Sequence, residues 1–329
     1  MVKRLGEFER IARYFAPLVK GQSEALGLAD DAAIVSPPAG MRMAVTADAL
    51  VAGVHFLESD PPDRIARKAL RVNISDLAAM GAEPYGYTVT LALPSGMSDP
   101  EGWLERFVTG QRSDHITFGL KLLGGDTVST PGPLTISVTA FGWLPEDRAL
   151  LRSGARPGDD IYVSGTIGDS GLGLAVLMGR ISGLDEDAEQ FLIDRYQVPE
   201  PRPMLGRALL RVASSALDIS DGLAQDLGHI TECSSVAAEV SLFAIPVSQA
   251  AAAAMRNGQA KPGDLVSSGD DYELLFTAPK EAREEVMLRA EEASVPVTRI
   301  GTIRAGSGVD LLDADGKPLI LERRGYTHA

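Results

Sequence analysis

Seven aspartates, Asp30, Asp31, Asp48, Asp76, Asp126, Asp218 and Asp221, stand among small or apolar residues instead of in solvated charge runs. In GLADDAAIV, MAVTADALV, VNISDLAAMGA, LLGGDT and ALDISDGLA the acid ends or interrupts a stretch that otherwise reads as core. A buried carboxylate without a counter-charge is costly, so several of them imply a cation. The ligand atoms on offer are oxygens, and the chain has one Cys and four His, which points to a hard divalent ion. Taken singly, an aspartate at a strand end or turn is read first as a helix cap. The set is better explained by a shared metal site: Asp76 falls in the middle of an expected helix, Asp126 follows Gly124-Gly125, and Asp218 and Asp221 bracket Ser220 at a strand-to-helix junction.

Other residues carry two readings each. Arg152, in a Gly-rich loop, is either a bidentate phosphate clamp or a solvated loop arginine. The glycine-rich run 165–173 lacks the Gly-Lys-Ser/Thr of a phosphate loop, so a tight turn with a Ser or Asp cap is expected. His55, close behind Asp48, is a packed histidine or part of the acidic site. Ser220 is a helix cap or an anion site. Cys233 has no His/Asn context for a nucleophile and is expected in the core, and Asp270-Asp271-Tyr272-Glu273 reads as turn chemistry opening a strand.

The elements that must hold these residues follow from periodicity. Phe8, Ile11, Ala12 and Phe15 predict an opening amphipathic helix. A strand is expected over 41–46 with Asp48 at its end, then a helix from Asp63 through Ile65, Ala69, Val72 and Asp76 to a stop at Gly81. Strands are expected over 87–93, 120–123 and 134–142, with a helix bearing Trp103 and Phe107 opened by a Ser98/Glu101 capping box and Pro100. The polar, Gly/Pro-marked segment 145–158 reads as a domain boundary. Beyond it lie strands over 161–164, 217–219 and 272–277, helices ending at Met178, over 204–212, after Ser220 and over 281–293, and a turn at Asp315-Gly316. The expected fold class is α/β with α+β mixture, in two α/β domains covering 1–148 and 149–329.

Composition supports this. The chain has 329 residues, 45% of them hydrophobic, enough for two cores. Its 45 acids exceed its 31 bases for a net charge of −14, and no basic stripe is present, so neither nucleic acid nor an anionic membrane is expected as a partner. One cysteine excludes an internal disulfide and a multi-Cys zinc site. No apolar segment follows Lys3 and Arg4, and the run 250–254 is too short to span a bilayer, so a cytoplasmic location is expected.

In order along the chain, Gly6-Glu7-Phe8, Asp30-Asp31-Ala32-Ala33, Asp48-Ala49-Leu50-Val51-Ala52-Gly53-Val54-His55-Phe56, Asn73-Ile74-Ser75-Asp76-Leu77-Ala78-Ala79-Met80-Gly81-Ala82, Gly124-Gly125-Asp126-Thr127, Leu151-Arg152-Ser153-Gly154-Ala155, Asp218-Ile219-Ser220-Asp221-Gly222-Leu223 and Gly269-Asp270-Asp271-Tyr272-Glu273-Leu274 resemble the thiamine-monophosphate kinase family. The resemblance implies the fold shared with aminoimidazole-ribonucleotide synthetase and selenophosphate synthetase, transfer of the ATP γ-phosphoryl group to thiamine phosphate, and a homodimer paired through the N-terminal domains. It assigns Mg²⁺ to Asp31, Thr46, Asp48, Asp76, Asp126, Asp218 and Asp221, with the Ala47 backbone carbonyl a further ligand. Of these, Asp48, Asp76, Asp126 and Asp218 are the expected catalytic core. ATP contacts fall to Gly125, Asp126, Arg152 and Ser220, and thiamine phosphate contacts to His55, Asp270 and Tyr326.

Four departures from the family pattern are Ala29 for Gly, Ala47 for Thr, Val128-Ser129-Thr130 for Thr-Arg-Gly and Ser268 for Gly. The implied chemistry agrees with the acidic set. The acceptor phosphate has a second pKa of about 6 and is already ionised at neutral pH, so no general base is needed. What is needed is a way to bring two polyanions together in an acidic protein, which carboxylate-held Mg²⁺ supplies. Two other readings stand: an ATP-dependent synthetase of the same fold acting on formylglycinamidine ribonucleotide, and a non-catalytic Ca²⁺- or Mg²⁺-binding module, against which the dispersal of the ligands argues. A selenophosphate synthetase fits less well, since no Cys lies near the N-terminus.

Overall fold

A computed structural model describes residues 5–321, 323, 325 and 326, grouped in two compact units: Met1–Leu77 with Glu83–Asp147, and Ala78–Ala82 with Arg148–Ala329. In the first unit a one-turn helix α1 (Glu7–Arg10) runs into a π-turn Ile11–Phe15, where a single amphipathic helix was expected. Phe15 is buried but Phe8 is 83% exposed, so the expected apolar stripe packs only in part. Then follow β1 (Met41–Val51), α2 (Pro62–Ala79), β2 (Glu83–Pro94), α3 (Pro100–Phe118), β3 (Lys121–Thr130) and β4 (Thr135–Pro145).

The four strands form one sheet in the order β1-β4-β2-β3, with only β2 and β3 parallel. Ile136, Val138 and Ala140 alternate into the core, the period expected of a sheet covered on one face. Asp99, not Ser98, caps α3 by accepting from the Gly102 N–H at 2.9 Å, with Pro100 following it. Glu101 instead binds Arg10, which ties α3 to α1. Helices α2 and α3 approach closely at Gly110, whose added Cβ would lie 2.1 Å from the Asp63 carbonyl oxygen. A buried ion pair, Arg71 Nη2 to Asp114 Oδ1 at 2.9 Å, joins the same two helices.

The second unit carries β5 (Asp160–Ser164), α4 (Asp169–Leu177), α5 (Glu186–Gln197), α6 (Pro203–Leu209), β6 (Ser215–Asp218), α7 (Leu223–Ser234), β7 (Ala237–Ser241), α8 (Gln249–Arg256), α9 (Pro262–Ser267), β8 (Leu274–Ala278), α10 (Arg283–Glu292), β9 (Val297–Arg304) and β10 (Gly308–Leu312). The sheet order is β10-β7-β9-β5-β8-β6, with β10 and β7 parallel and the other neighbours antiparallel. Strands β5, β6 and β8 are buried throughout because helices cover both faces. Ile161, Val163, Leu217 and Leu275 pack on Leu223, Leu227 and Ile230 of α7. Tyr162, Ala216 and Phe276, one residue out of phase, pack on Leu205 and Leu209 of α6 and Val286 and Ala290 of α10. Cys233 lies past the last buried turn of α7 and is exposed, contrary to its expected place in the core. No helix among the described residues is long and apolar enough to cross a membrane.

Candidate active site

The first unit brings Asp48 and Asp76 together. Strand β1 continues to Val51 because its eleven-residue ladder with β4 outlasts the apolar run, so Asp48 sits inside the strand and not at its end. Thr46 and Asp48 alternate onto one face, and Asp76 comes from α2, where Thr46 Oγ1 donates to Asp76 Oδ2 at 2.5 Å. Burial, and then the charge of Asp76, push the Asp48 carboxyl from its ordinary 3.8 up to about 6. A carboxyl raised by burial and a neighbouring acid, with a threonine hydroxyl held beside them, is chemically suited to a hard divalent ion.

Ala47 pairs with Thr139 on the other face of β1 and is exposed. A threonine there would point away from Asp48 and Asp76. Ala47→Thr is therefore expected to change the Mg²⁺ concentration at half-maximal turnover by less than about threefold. Tightening of tenfold or more, about 1.4 kcal/mol, would show that a side-chain ligand belongs at this position.

A second group of acids, Asp30, Asp31 and Asp126, lines a cavity of ≈ 380 Å³ with Gly124, Gly125 and Thr127; Asp48 and Asp76 are not among its lining residues. Gly124, Gly125 and Asp126 belong to edge strand β3 instead of following a shorter strand. Gly125 is required by the backbone: a Cβ would lie 2.0 Å from the Val89 carbonyl oxygen. The Asp126 carboxylate accepts from the Thr127 N–H at 2.7 Å. Ala29, where the family pattern has Gly, has φ −105°, a conformation open to any residue.

His55 follows β1 in a tight turn. Its Nδ1 accepts from the Val51 N–H at 3.0 Å, which leaves the imidazole proton on Nε2. The ring is thus arranged as a hydrogen-bond donor. His55→Ala should raise KM for the acceptor roughly five- to twentyfold with KM for ATP unchanged, and His55→Gln should recover part of the loss. A kcat titration near pH 6.5 that His55→Gln abolishes would instead identify an acid or base.

In the second unit one turn gathers most of the expected residues. Strand β6 ends at the buried Asp218, and residues 219–222 lead into α7, whose N-cap is Gly222 at φ +122°. Ser220 is not the cap. The amides of Ser220, Asp221 and Gly222 each donate to Asp226 Oδ2 at 3.0 Å. Burial, and to a lesser degree Asp221, push Asp226 to about 7 against the pull of those amides. The Asp221 carboxylate accepts from Gln225 Nε2 at 3.0 Å, and ligand atoms of Asp221, Asp226 and His229 lie within 4.8 Å of one another. Asp226 and His229 were not among the expected site residues; their i, i+3 spacing, which puts both on one face of α7, is the signal available in the sequence.

The Gly269–Glu273 motif is laced to that turn. The Asp270 amide donates to the Ser220 carbonyl and the Tyr272 amide to the Ile219 carbonyl, both at 2.8 Å. Tyr326 joins through its amide to the Asp221 carbonyl at 2.9 Å, and Gln225 Nε2 reaches the Tyr326 carbonyl. Asp218, Ser220, Asp221, Asp270 and Tyr326 are therefore neighbours. Arg152 is not: its carbonyl accepts from Ser234 Oγ at the C-terminal end of α7. The twelve residues of α7 rise roughly 18 Å at 1.5 Å per residue between the Ser220 turn and that end.

The run 165–173 is a closed turn. The amides of Gly168 and Ser170 donate to the fully buried Asp271 carboxylate at 2.7 and 3.3 Å, so the acid that caps α4 comes from β8's approach and not from the turn itself. Glu273, wholly buried, is held by Arg195 at 2.8 Å, Arg202 at 2.6 Å and Ser164 at 2.5 Å. Ser268 has φ −78° and donates to the Asp264 carbonyl at 2.6 Å; Gly171, where a Cβ would lie 2.3 Å from Ser268 Oγ, leaves room for it.

Two family models match, AIR synthase related protein, N-terminal domain, over residues 29–144 and the corresponding C-terminal domain over 156–313. The two sheets thus belong to a fold of the AIR synthase related class. Within it, thiamine-monophosphate kinase of Salmonella typhimurium is 43% identical over 325 residues, covering 98% of each chain. The crystal structure of thiamine-monophosphate kinase from Stenotrophomonas maltophilia superposes with a TM-score of 0.84 at 40% identity, over 96% of this chain and 98% of that one. AaThiL complexed with AMPPCP and TMP matches with a TM-score of 0.77 at 30% identity, over 99% and 100%. The chain belongs to the thiamine-monophosphate kinase family.

Proposed function

We propose that the chain transfers the γ-phosphoryl group of ATP to thiamine phosphate, forming thiamine diphosphate, with Mg²⁺ held by its aspartates. The observation that carries this reading is the constellation of Thr46, Asp48 and Asp76, where one partly desolvated carboxyl is opposed by another acid. Asp31, Thr46, Ala47 through its carbonyl, Asp48, Asp76 and Asp126 in the first unit and Asp218 and Asp221 in the second would hold Mg²⁺. When bound, the ions would neutralise charge on the transferring phosphoryl group and the acceptor.

The protein's own groups bind and orient. Gly125, Asp126, Arg152 and Ser220 are assigned to ATP, with Arg152 meeting the nucleotide at a point removed from Ser220. His55, Asp270 and Tyr326 are assigned to thiamine phosphate, His55 as a donor through Nε2. No residue is asked to remove a proton, because the acceptor phosphate is already ionised. The ligands of AaThiL, AMPPCP and TMP, support this pairing of substrates. The same reading includes a cytoplasmic homodimer paired through residues 1–148, supported by Met43 and Val45, which β1 leaves 39% and 59% exposed. Residues 149–329 form its second functional half.

Incubation with ATP and Mg²⁺ and either thiamine phosphate or formylglycinamidine ribonucleotide separates the family members. Thiamine diphosphate from the first and no product from the second is expected; the opposite pattern would assign the site to a synthetase.

A further inference from the structure

Asp270 and Tyr272 both occupy the left-handed region, at φ +68° and +51°, on either side of the buried Asp271. Such a conformation is strained for a non-glycine residue and persists only where the surroundings enforce it. Here the enforcement is visible. Asp271 and Glu273 point inward and are pinned, Asp271 by the Gly168 and Ser170 amides and Glu273 by two arginines and Ser164. The intervening amides of Asp270 and Tyr272 are tied to the Ser220 and Ile219 carbonyls. Gly269 closes the motif against the Ser220 carbonyl, 2.5 Å from where a Cβ would stand.

The consequence is that the side chains of Asp270 and Tyr272, both half-buried, are turned to the same side. Tyr272 Oη donates to Asp270 Oδ1 at 3.2 Å. We propose that Tyr272 is a positioning residue for the acceptor: its hydroxyl fixes the rotation of the Asp270 carboxylate, which then meets the cationic, amino-substituted ring system of thiamine phosphate in one orientation. This rests on the assignment of Asp270 to the acceptor. A hydrogen bond made to a carboxylate before the substrate arrives lowers the ordering cost of binding, so its loss is felt on one substrate only.

The test is a double-mutant cycle read as KM for each substrate, using Tyr272→Phe, Asp270→Gly and the pair. Glycine suits the positive φ at 270, so removing that side chain adds no backbone strain. Asp270→Gly is expected to raise KM for thiamine phosphate at least tenfold and Tyr272→Phe about fivefold, with KM for ATP and Tm near wild type. The double variant should match Asp270→Gly alone, because Tyr272 acts through Asp270. A wild-type KM in Tyr272→Phe, a fall in Tm or a rise in ATP KM that accounts for its effect, or singles that multiply in the double variant would overturn the positioning role while leaving Asp270 in place. A silent Asp270→Gly would overturn both, and is told apart by that single alone.

Discussion

Asp48→Asn and Asp76→Asn each lower turnover about 10²–10³-fold at saturating Mg²⁺ while leaving the metal-free protein as stable as the wild type or more so. The two effects have one cause. The Asp48 carboxyl carries a pKa of about 6 in the folded chain against an ordinary 3.8, so its neutral form favours the fold. That contribution is complete below about pH 4 and is lost as pH rises through 6. At pH 7.5 the ionised Asp48 costs the metal-free protein up to about 3 kcal/mol, which asparagine removes. A rise in Tm of roughly 2–8 °C is expected for metal-free Asp48→Asn at pH 7.5, shrinking toward pH 4. The same proton competes with the cation, so the Mg²⁺ requirement of the wild type should rise as pH falls below 6. Scanning calorimetry and turnover on the same preparations check this, and wild-type turnover in both variants would remove the metal site from Asp48 and Asp76.

Glu273→Gln has the largest expected effect on stability. The buried carboxylate neutralises Arg195, 7% exposed, and Arg202, 16% exposed, so an amide leaves two guanidinium groups sharing only the solvent-exposed Glu200 carboxylate, 3.5 and 3.4 Å away. Breaking a buried pair from one side costs about 3–5 kcal/mol. The loss should appear as a Tm lowered by roughly 6–20 °C, and as thiamine phosphate binding weakened because Glu273 ends the motif that holds Asp270. Replacing Glu273, Arg195 and Arg202 together by apolar residues of similar volume should restore much of the Tm without restoring binding. A Glu273→Gln protein with wild-type Tm would mean that the arginines are neutralised elsewhere, for instance by Glu200, which lies 3.4 Å from Arg202.

Most elements were legible because hydrophobic period and stop residues are local. The α2 stop at Gly81, at φ +74°, and the strands over β2, β4 and β5 follow from such patterns. What was not legible depends on partners distant in the chain. Strand β1 extends past Thr46 because β4 supplies a ladder to Val51, and nothing near Asp48 announces that. The acid that satisfies the α4 turn is 101 residues or more away, at Asp271, so the turn's own Ser and Asp misled the cap assignment. Ser220 was expected to cap α7, but Asp226 reaches back from inside the helix and takes the three amides. For the candidate site, residue types and their order were sufficient to single out acids as candidates. Their grouping was not: only coordinates separate the pair Asp48 and Asp76 from the cavity of Asp30, Asp31 and Asp126, or place Arg152 at the far end of α7.

The central claim is direct phosphoryl transfer between two phosphorylated substrates, and the fate of the γ-phosphoryl group tests it most directly. With ATP labelled at the γ-phosphorus, Mg²⁺ and thiamine phosphate, the label should move to the terminal phosphate of thiamine diphosphate in step with ADP formation, and chelation of Mg²⁺ should stop both. Label released as inorganic phosphate, with ADP formed and thiamine phosphate recovered unchanged, would contradict it.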